Sequence, residues 1–193
     1  MRIFSDGIKI TEVENHCLLH VVPAPETWLL AAIIEKARLR RNALISEWQP
    51  RLFADDSVTE LPADDEALCA LIMARDDYKT RLQQDVAIDP SASAVKDNIA
   101  IYAAVDRSGS TVTLFANGID LADVDVNCIM AYVQDLDDWV IGALMGQINK
   151  GKKTMIATYH PIIIADPRVI TMPATEAGLI NMIVARDDYK RSN

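Results

Sequence analysis

The chain has 193 residues, half of them hydrophobic, and a formal net charge of −9 at pH 7. This length and apolar content are enough for the packed core of one or two small domains. A chain this acidic lacks the cationic surface that nucleic acids and anionic membranes attract, so we expect neither as a partner.

Nothing in the sequence is typical of export or of membrane insertion. The first residues, MRIFSDGIK, lack the apolar stretch of a signal peptide. The sequence contains no run of about 18 apolar residues, so we expect no transmembrane helix. The three cysteines have no CxxC spacing, which favours reduced thiols over a disulfide framework. We therefore expect a protein of a cytoplasm-like compartment that is not secreted by a signal peptide.

The hexapeptide ARDDYK occurs twice, at 74–79 and at 185–190, which is an offset of 111 positions. With this offset, residues 1–82 align with 112–193 without a gap, and 23 of the 82 positions are identical. A period this long lies outside the range of solenoid repeats. The sequence therefore predicts an internal duplication, with a module at 1–82, a connector at 83–111 and a second module at 112–193.

Each module begins with a pattern typical of β-structure. Asp6-Gly7 and Asn117-Gly118 occupy the same slot, between short apolar segments. Such pairs tolerate the positive φ angles of a two-residue hairpin turn, so each slot predicts a β-hairpin. The stretches HCLLHVV and NCIMAYV that follow predict one further strand in each module.

Two helices are expected after the strands. Thr27 and Asp138 are good N-cap residues just before the paired tryptophans, and apolar residues recur at helical spacing from Trp28 to Trp48. Pro50 and Pro161 are expected to end this first helix. A second, shorter helix is predicted after a capping residue, which is Asp64 in one module and Thr175 in the other.

The connector contains a loop, DPSAS, and an apolar stretch, NIAIYAAVD, that predicts one extra strand. The predicted fold class is therefore α+β, with two similar modules, each a β-hairpin plus strand followed by two helices. We expect the two modules to form a pseudo-twofold arrangement.

In each module ARDDYK closes the second helix, where the helix dipole opposes its two aspartates. The acids should therefore lie in a turn or pair with specific donors, for which arginine and lysine of the motif are the candidates. One interpretation is a cluster that locks the helix end in place, and the other is a recognition surface present twice. The candidate partner-binding residues are Arg75, Asp76, Asp77, Tyr78, Lys79, Arg186, Asp187, Asp188, Tyr189 and Lys190.

A second candidate surface is basic and lies on the first predicted helix of each module. It is either the solvated face of an amphipathic helix or a patch that docks an acidic surface. Its residues are Lys36, Arg38, Arg40, Arg41, Lys150, Lys152 and Lys153.

The sequence predicts no enzyme, cofactor or metal site. The stretch GQINKGKKT resembles a phosphate-binding loop, but Lys153 stands where the motif requires Ser or Thr. HCLLH offers His16, Cys17 and His20 as zinc-ligand types without a fourth ligand nearby. His160 has no recognisable catalytic partner.

The line WQPRLFADDSVTELPADDEALCALIMARDDYKTR, and YHPIIIADPRVITMPATEAGLINMIVARDDYK in the second module, resemble small proteins of tailed bacteriophages. This resemblance covers about 35 residues in each module and implies a component of the virion or an accessory protein. Our hypothesis is a non-enzymatic virion or assembly protein that binds itself or other virion subunits, in the virion or the host cytoplasm. The alternatives are an accessory protein that inhibits a host factor, and a small-ligand-binding protein with a pocket between the modules.

Overall fold

The computed structural model describes residues 1–192, which form short antiparallel strands and, for the most part, helices. The elements of the N-terminal segment, residues 1–82, and the connector are β1 (Arg2–Ile3), β2 (Ile8–Thr11), α1 (Glu12–Val21), α2 (Pro25–Phe53), α3 (Asp65–Met73), α4 (Arg81–Ile88) and α5 (Asp97–Ala103). The elements of the C-terminal segment, residues 112–193, are β3 (Thr111–Leu114), β4 (Ile119–Asp120), α6 (Asp123–Met130), α7 (Leu136–Ala165), α8 (Glu176–Ala185) and α9 (Asp187–Ser192). The first of them, β3, begins one residue before the segment does. The chain is thus a mixed α+β protein, and Asn193 of the predicted second module lies outside the described residues.

The strands pair between the two segments. β1 pairs with β4, which places Ile3 opposite Ile119, and β2 pairs with β3, which places Ile8 opposite Leu114. All four of these side chains are buried, since residues directly opposite each other on paired strands point to the same face of the sheet. The predicted hairpins are wrong, since β1 does not pair with β2 and β3 does not pair with β4.

The turns at the predicted hairpin positions have a different geometry. The amide of Gly7 donates to the carbonyl of Phe4 at 2.8 Å, and positive φ angles occur at these two residues, 73° and 49°. Gly118 and Phe115 repeat this geometry, with φ angles of 77° and 50°. A two-residue hairpin turn needs positive φ at adjacent central residues. Here the two residues flank the turn, and the strand that follows pairs elsewhere.

Helices stand where a third strand was predicted in each module. α1 begins at a capping box, in which Thr11 Oγ1 accepts from the Glu14 amide at 3.1 Å and Glu14 Oε2 accepts from the Thr11 amide at 2.7 Å. This reciprocal pair satisfies two amides that a helix N-terminus leaves free. α6 occupies the equivalent sequence position. The strand predictions for HCLLHVV and NCIMAYV are therefore wrong.

The two long helices were predicted correctly in kind but not in extent. α2 starts at Pro25, where the fixed φ of proline suits the first helical turn, so Thr27 is not its N-cap. α7 is capped by Asp135, which accepts from the Asp138 amide at 2.9 Å. Both helices continue past Pro50 and Pro161 for a last turn, whose buried Leu52 and Ile163 pack in the core. That packing offsets the hydrogen bond that each proline removes.

The shorter predicted helices are confirmed, including their caps. Asp64 accepts from the Ala67 amide and Thr175 accepts from the Gly178 amide, at the starts of α3 and α8. The connector differs from the prediction, because its apolar stretch forms helix α5 rather than a strand. Asp138 fixes this helix by accepting from the Ile99 amide at 3.0 Å and from Asn98 Nδ2 at 2.8 Å.

The helices of the two segments pack across each other. α1 contacts α7 and α8, whereas α6 contacts α2 and α3. We call this arrangement the crossed packing. α1 and α7 lie so close that a Cβ added at Gly151 would be 1.8 Å from the carbonyl oxygen of Cys17. Apolar side chains from both segments consequently share each of the two core clusters.

Among residues 1–192, no individual helix has both the length and the apolar composition of a membrane span. Helices α1 and α2, which meet at a bend of 67°, together have the length and the apolar composition of a membrane span. Their side chains Leu18, Leu29 and Ile33, however, are buried in the larger core.

Candidate functional site

The first ARDDYK motif follows α3 and joins that helix end to the end of α2. Arg75 donates through Nη2 to Asp55 Oδ2 at 2.8 Å and through Nε to Asp77 Oδ1 at 3.0 Å. Asp55 lies two residues beyond α2, so one guanidinium links two helix ends. Ser57 reinforces the link, because its hydroxyl donates to Asp55 at 2.6 Å.

The second motif repeats the same contacts 111 residues later. Arg186 donates to Asp166 at 3.1 Å, just after α7, and through Nε to Asp188 at 2.9 Å. Arg168 adds a second guanidinium on Asp166 at 2.8 Å. Of the two donors that the sequence offered in each motif, the arginine makes these bonds in both.

The charges of these clusters shift the titration of their carboxyl groups. The hydrogen bond from Ser57, together with the Arg75 guanidinium, lowers the pKa of Asp55 to about 2. Arg168, followed by Arg186, holds the pKa of Asp166 well below its usual range. Both carboxylates are therefore charged acceptors across the physiological pH range.

The tyrosines of the two motifs pack inward. Tyr78 lies against Trp48, with ring centroids 6.1 Å apart, and Tyr189 lies against Tyr159 at 5.6 Å. Burial raises the pKa of Tyr78 to about 12. The remaining residues of the predicted surface, Asp76, Lys79, Asp187 and Lys190, are exposed. The structure thus divides each motif into an arginine, an aspartate and a tyrosine that contact the fold and two residues that face outward.

Large apolar side chains are exposed beside both clusters. Phe53, the last residue of α2, is 70% exposed, and Ile164 near the end of α7 is 65% exposed. We define the first helix-end surface as Phe53, Asp55, Arg75 and Asp77, and the second helix-end surface as Ile164, Asp166, Arg186 and Asp188. The second is flanked by another exposed apolar residue, Ile170. Sequence analysis missed the apolar members, which differ in type but occupy the same slot of the 111-residue offset.

The predicted basic patch is dispersed, because several of its members contact other elements. The Lys36 ammonium lies 5.1 Å from the Trp139 ring centroid, and the Arg40 guanidinium lies 4.8 Å from that of Tyr132. Arg41 pairs with Asp125 on α6. The other four members stay closer to the surface: Arg38 pairs with Glu35, Lys152 pairs with Glu176, and Lys150 and Lys153 are exposed.

A cavity of about 420 Å³ lies between the two segments. Val13 and Cys17 line it from α1, Val105 from the connector, and Ile148 and Ile180 from α7 and α8. An ion pair between Lys152 and Glu176 stands at its edge. Burial raises the pKa of the Cys17 thiol to about 11, which leaves that thiol a poor nucleophile at neutral pH.

The histidines of HCLLH lie on helix α1 rather than on a strand. His20 stacks on Tyr189, with ring centroids 6.2 Å apart, and burial lowers its pKa. Within residues 1–192, no three side chains of histidine, cysteine, aspartate or glutamate are grouped as a metal would require.

Comparisons of this chain with protein-family models, with curated proteins and with solved structures found no match.

Proposed function

We propose that residues 1–82 and 112–193 are two copies of one module in a pseudo-twofold arrangement, and that the chain is a non-enzymatic virion or assembly protein of the tailed-phage type. In this proposal it acts by binding further copies of itself. The observation that carries the proposal is the presence of two equivalent helix-end surfaces on one chain.

The strand pairing supports the two-copy arrangement. The residue 111 positions after Ile3 is Leu114, and the residue 111 positions before Ile119 is Ile8. Ile3 pairs with Ile119, and Leu114 pairs with Ile8 in the same way. The same shift converts the contacts of α1 with α7 and α8 into those of α6 with α2 and α3. A twofold relation between two copies produces this correspondence.

The exposed apolar residues support a role in protein contacts. Phe53 and Ile164 leave large apolar areas in water, next to carboxylates and guanidinium groups held in fixed positions. An apolar centre with a polar rim is typical of a protein interface. A subunit with two such surfaces can contact two neighbours, which allows a closed ring or a shell.

Native mass spectrometry of the purified protein at near-physiological salt tests this proposal. We expect a discrete multimer, and we expect the double variant Phe53→Ser/Ile164→Ser to weaken its association at least tenfold while its unfolding midpoint stays unchanged. Ile34→Ser, which replaces an apolar residue of α2 that is 54% exposed and belongs to neither surface, is the matched control and should assemble as the native chain does.

A strictly monomeric native chain would contradict self-assembly and would favour the alternative in which the protein inhibits a host factor.

The cavity between the two segments favours a second candidate function, since its volume of about 420 Å³ lies within the range of small-ligand pockets. Extra mass that survives purification on the native chain, and is lost from an Ile180→Trp variant that fills the cavity, would support ligand binding.

A further inference from the structure

The cavity between the two segments has a counterpart that the chain closes with one of its own side chains. With the offset of 111 positions, Lys152 of α7 corresponds to Arg41 of α2. Arg41 pairs with Asp125 of α6 and lies 3.7 Å from Glu66 of α3. The guanidinium therefore links three helices and occupies the space between them.

The corresponding residues on the cavity's side make a different contact. Ala177 of α8 stands where the other side has Glu66, so it offers no carboxylate. Lys152 pairs instead with Glu176 at 3.1 Å, at the edge of the cavity. An ammonium held at the edge leaves the space between α1, α7 and α8 open to a ligand.

The cavity is apolar inside and opens to water at its rim. Ile148 and Ile180 form its depth and are at most 2% exposed, whereas Val13 and Met145 are partly exposed on its walls. Three exposed polar residues stand at the rim, namely Asp106, Asn149 and Glu176. An apolar ligand therefore reaches apolar walls without unpacking the core, and burial of its surface there is favourable.

The charges at the cavity favour a cationic ligand. The charged residues that line it are Glu14, Asp106, Lys152 and Glu176. Glu14 is balanced by Arg107 of the connector at 3.3 Å, and Lys152 is balanced by Glu176. Asp106 accepts from a backbone amide at 2.9 Å and forms no ion pair with any residue in the range 1–192. One positive charge on a ligand would thus be balanced, whereas a negative charge would be repelled by this carboxylate.

We propose that the cavity binds a small apolar amine, whose ring or alkyl chain packs against Val13, Met145 and Ile148 and whose ammonium group pairs with Asp106 at the rim. Asp106 belongs to the connector and Lys152 to α7, so the ammonium binds at a different wall from the lysine. The inference rests on the second candidate function, ligand binding between the segments, and adds the chemical class of the ligand.

The first test is a titration of the ¹⁵N-labelled full chain at pH 7 with phenethylamine, phenethyl alcohol and phenylacetate, which share one ring and differ in charge. We expect saturable shifts of the Val105 and Ile180 amide signals, with a dissociation constant of about 1 mM for the amine. The alcohol should bind about two- to fivefold more weakly, because an ion pair at an exposed rim is weak. The acid should bind at least tenfold more weakly than the amine.

The three ligands separate the failure of this inference from the failure of the second candidate function. Phenylacetate that binds as tightly as phenethylamine overturns the amine class and leaves ligand binding in the cavity supported. Absence of saturable shifts at Val105 and Ile180 with all three ligands contradicts both.

Asp106→Asn tests the proposed ion pair. It should weaken phenethylamine binding about two- to fivefold and leave the affinity for phenethyl alcohol unchanged. Asp89→Asn is the matched control, because Asp89 is an exposed connector aspartate that accepts from the Ser91 amide at 2.9 Å, as Asp106 does from Ser108. Equal effects of the two substitutions on phenethylamine binding overturn the role of Asp106.

The double variant Lys152→Arg/Ala177→Glu tests the location. It supplies the guanidinium and the carboxylate that close the counterpart, at one partly exposed and one exposed position. We expect it to weaken the binding of phenethylamine and of phenethyl alcohol at least tenfold. Unchanged affinity for both ligands in this variant overturns the proposed location.

Discussion

Arg75 bridges Asp55 and Asp77, and Arg186 bridges Asp166 and Asp188. The two aspartates of each pair lie 22 residues apart in the sequence. Each pair lies after two different helices, so the guanidinium fixes the distance between helix ends. The repeated hexapeptide identified half of this cluster from sequence. The other half, Asp55 and Asp166, was missed because their local sequence is typical of loops. Only the folded chain brings these two carboxylates next to the arginines.

The depressed pKa of Asp55 makes the stability of the fold sensitive to acid. A free aspartate titrates near pH 3.9, whereas Asp55 in the folded chain titrates at about 2. Its contribution is therefore fully present above about pH 4 and is lost as the pH falls from there to about 2. We expect the thermal unfolding midpoint to fall steeply in this window, in which Asp166 acts in the same direction.

Asp55→Asn should lower the midpoint at pH 6 and reduce its slope between pH 4 and pH 2. Asp56→Asn, at the exposed neighbouring position, is the control and should retain the native slope. An Asp55→Asn variant with the same slope as the native chain would show that this carboxylate does not link folding to pH.

At the level of elements, the apolar periodicity of the sequence predicted helices that are long or well capped. α2 and α7 were found near their predicted places because an apolar stripe is a local signal, and α3 and α8 because their stripes and their caps, Asp64 and Thr175, are local signals too. α1 also carries a local signal, the capping box at Thr11 and Glu14, but the apolar run after it favoured a strand. The strand partners could not be predicted, since nothing local distinguishes pairing within a segment from pairing between segments.

The close approach of α1 and α7 depends on Gly151. A methyl group there would overlap the carbonyl of Cys17, so Gly151→Ala must push two buried helices apart. We expect a loss of about 2–3 kcal/mol in the free energy of unfolding, as for other overpacked cores. Urea denaturation measures this quantity.

The matched control lies on the same helix. Nothing stands within 4 Å of the position that a Cβ at Gly146 would take, so Gly146→Ala should stabilise the protein by about 0.5–1 kcal/mol through helix propensity alone. Equal effects of the two substitutions would contradict a specific contact at Gly151.

At the level of the whole molecule, the crossed packing makes each segment depend on the other. β1 and β2 have their strand partners at β4 and β3, and α1 has its helical partners at α7 and α8. A segment alone would expose these surfaces to water. Residues 1–92 and 93–193, divided within the loop after α4, should therefore associate as a one-to-one complex.

Co-expression of the two fragments followed by size-exclusion chromatography and circular dichroism measures this association. We expect each fragment alone to lose cooperative unfolding and the complex to regain it. The control is a full-length chain with a protease site inserted after Ala92, which is cleaved only after it has folded. Its two pieces should remain associated. Two fragments that each unfold cooperatively and do not bind one another would contradict mutual dependence.

The crossed packing also sets an order of events during synthesis. When residue 82 has been added, β1, β2 and α1 have no partners, because α7 is complete only at Ala165. At translation rates of 5–20 residues per second, the apolar faces of these elements wait about 4–17 s on the ribosome. The first half of the chain thus emerges from the ribosome well before the partners of β1, β2 and α1 in the second half exist, and the contacts between the two segments form only when that half follows.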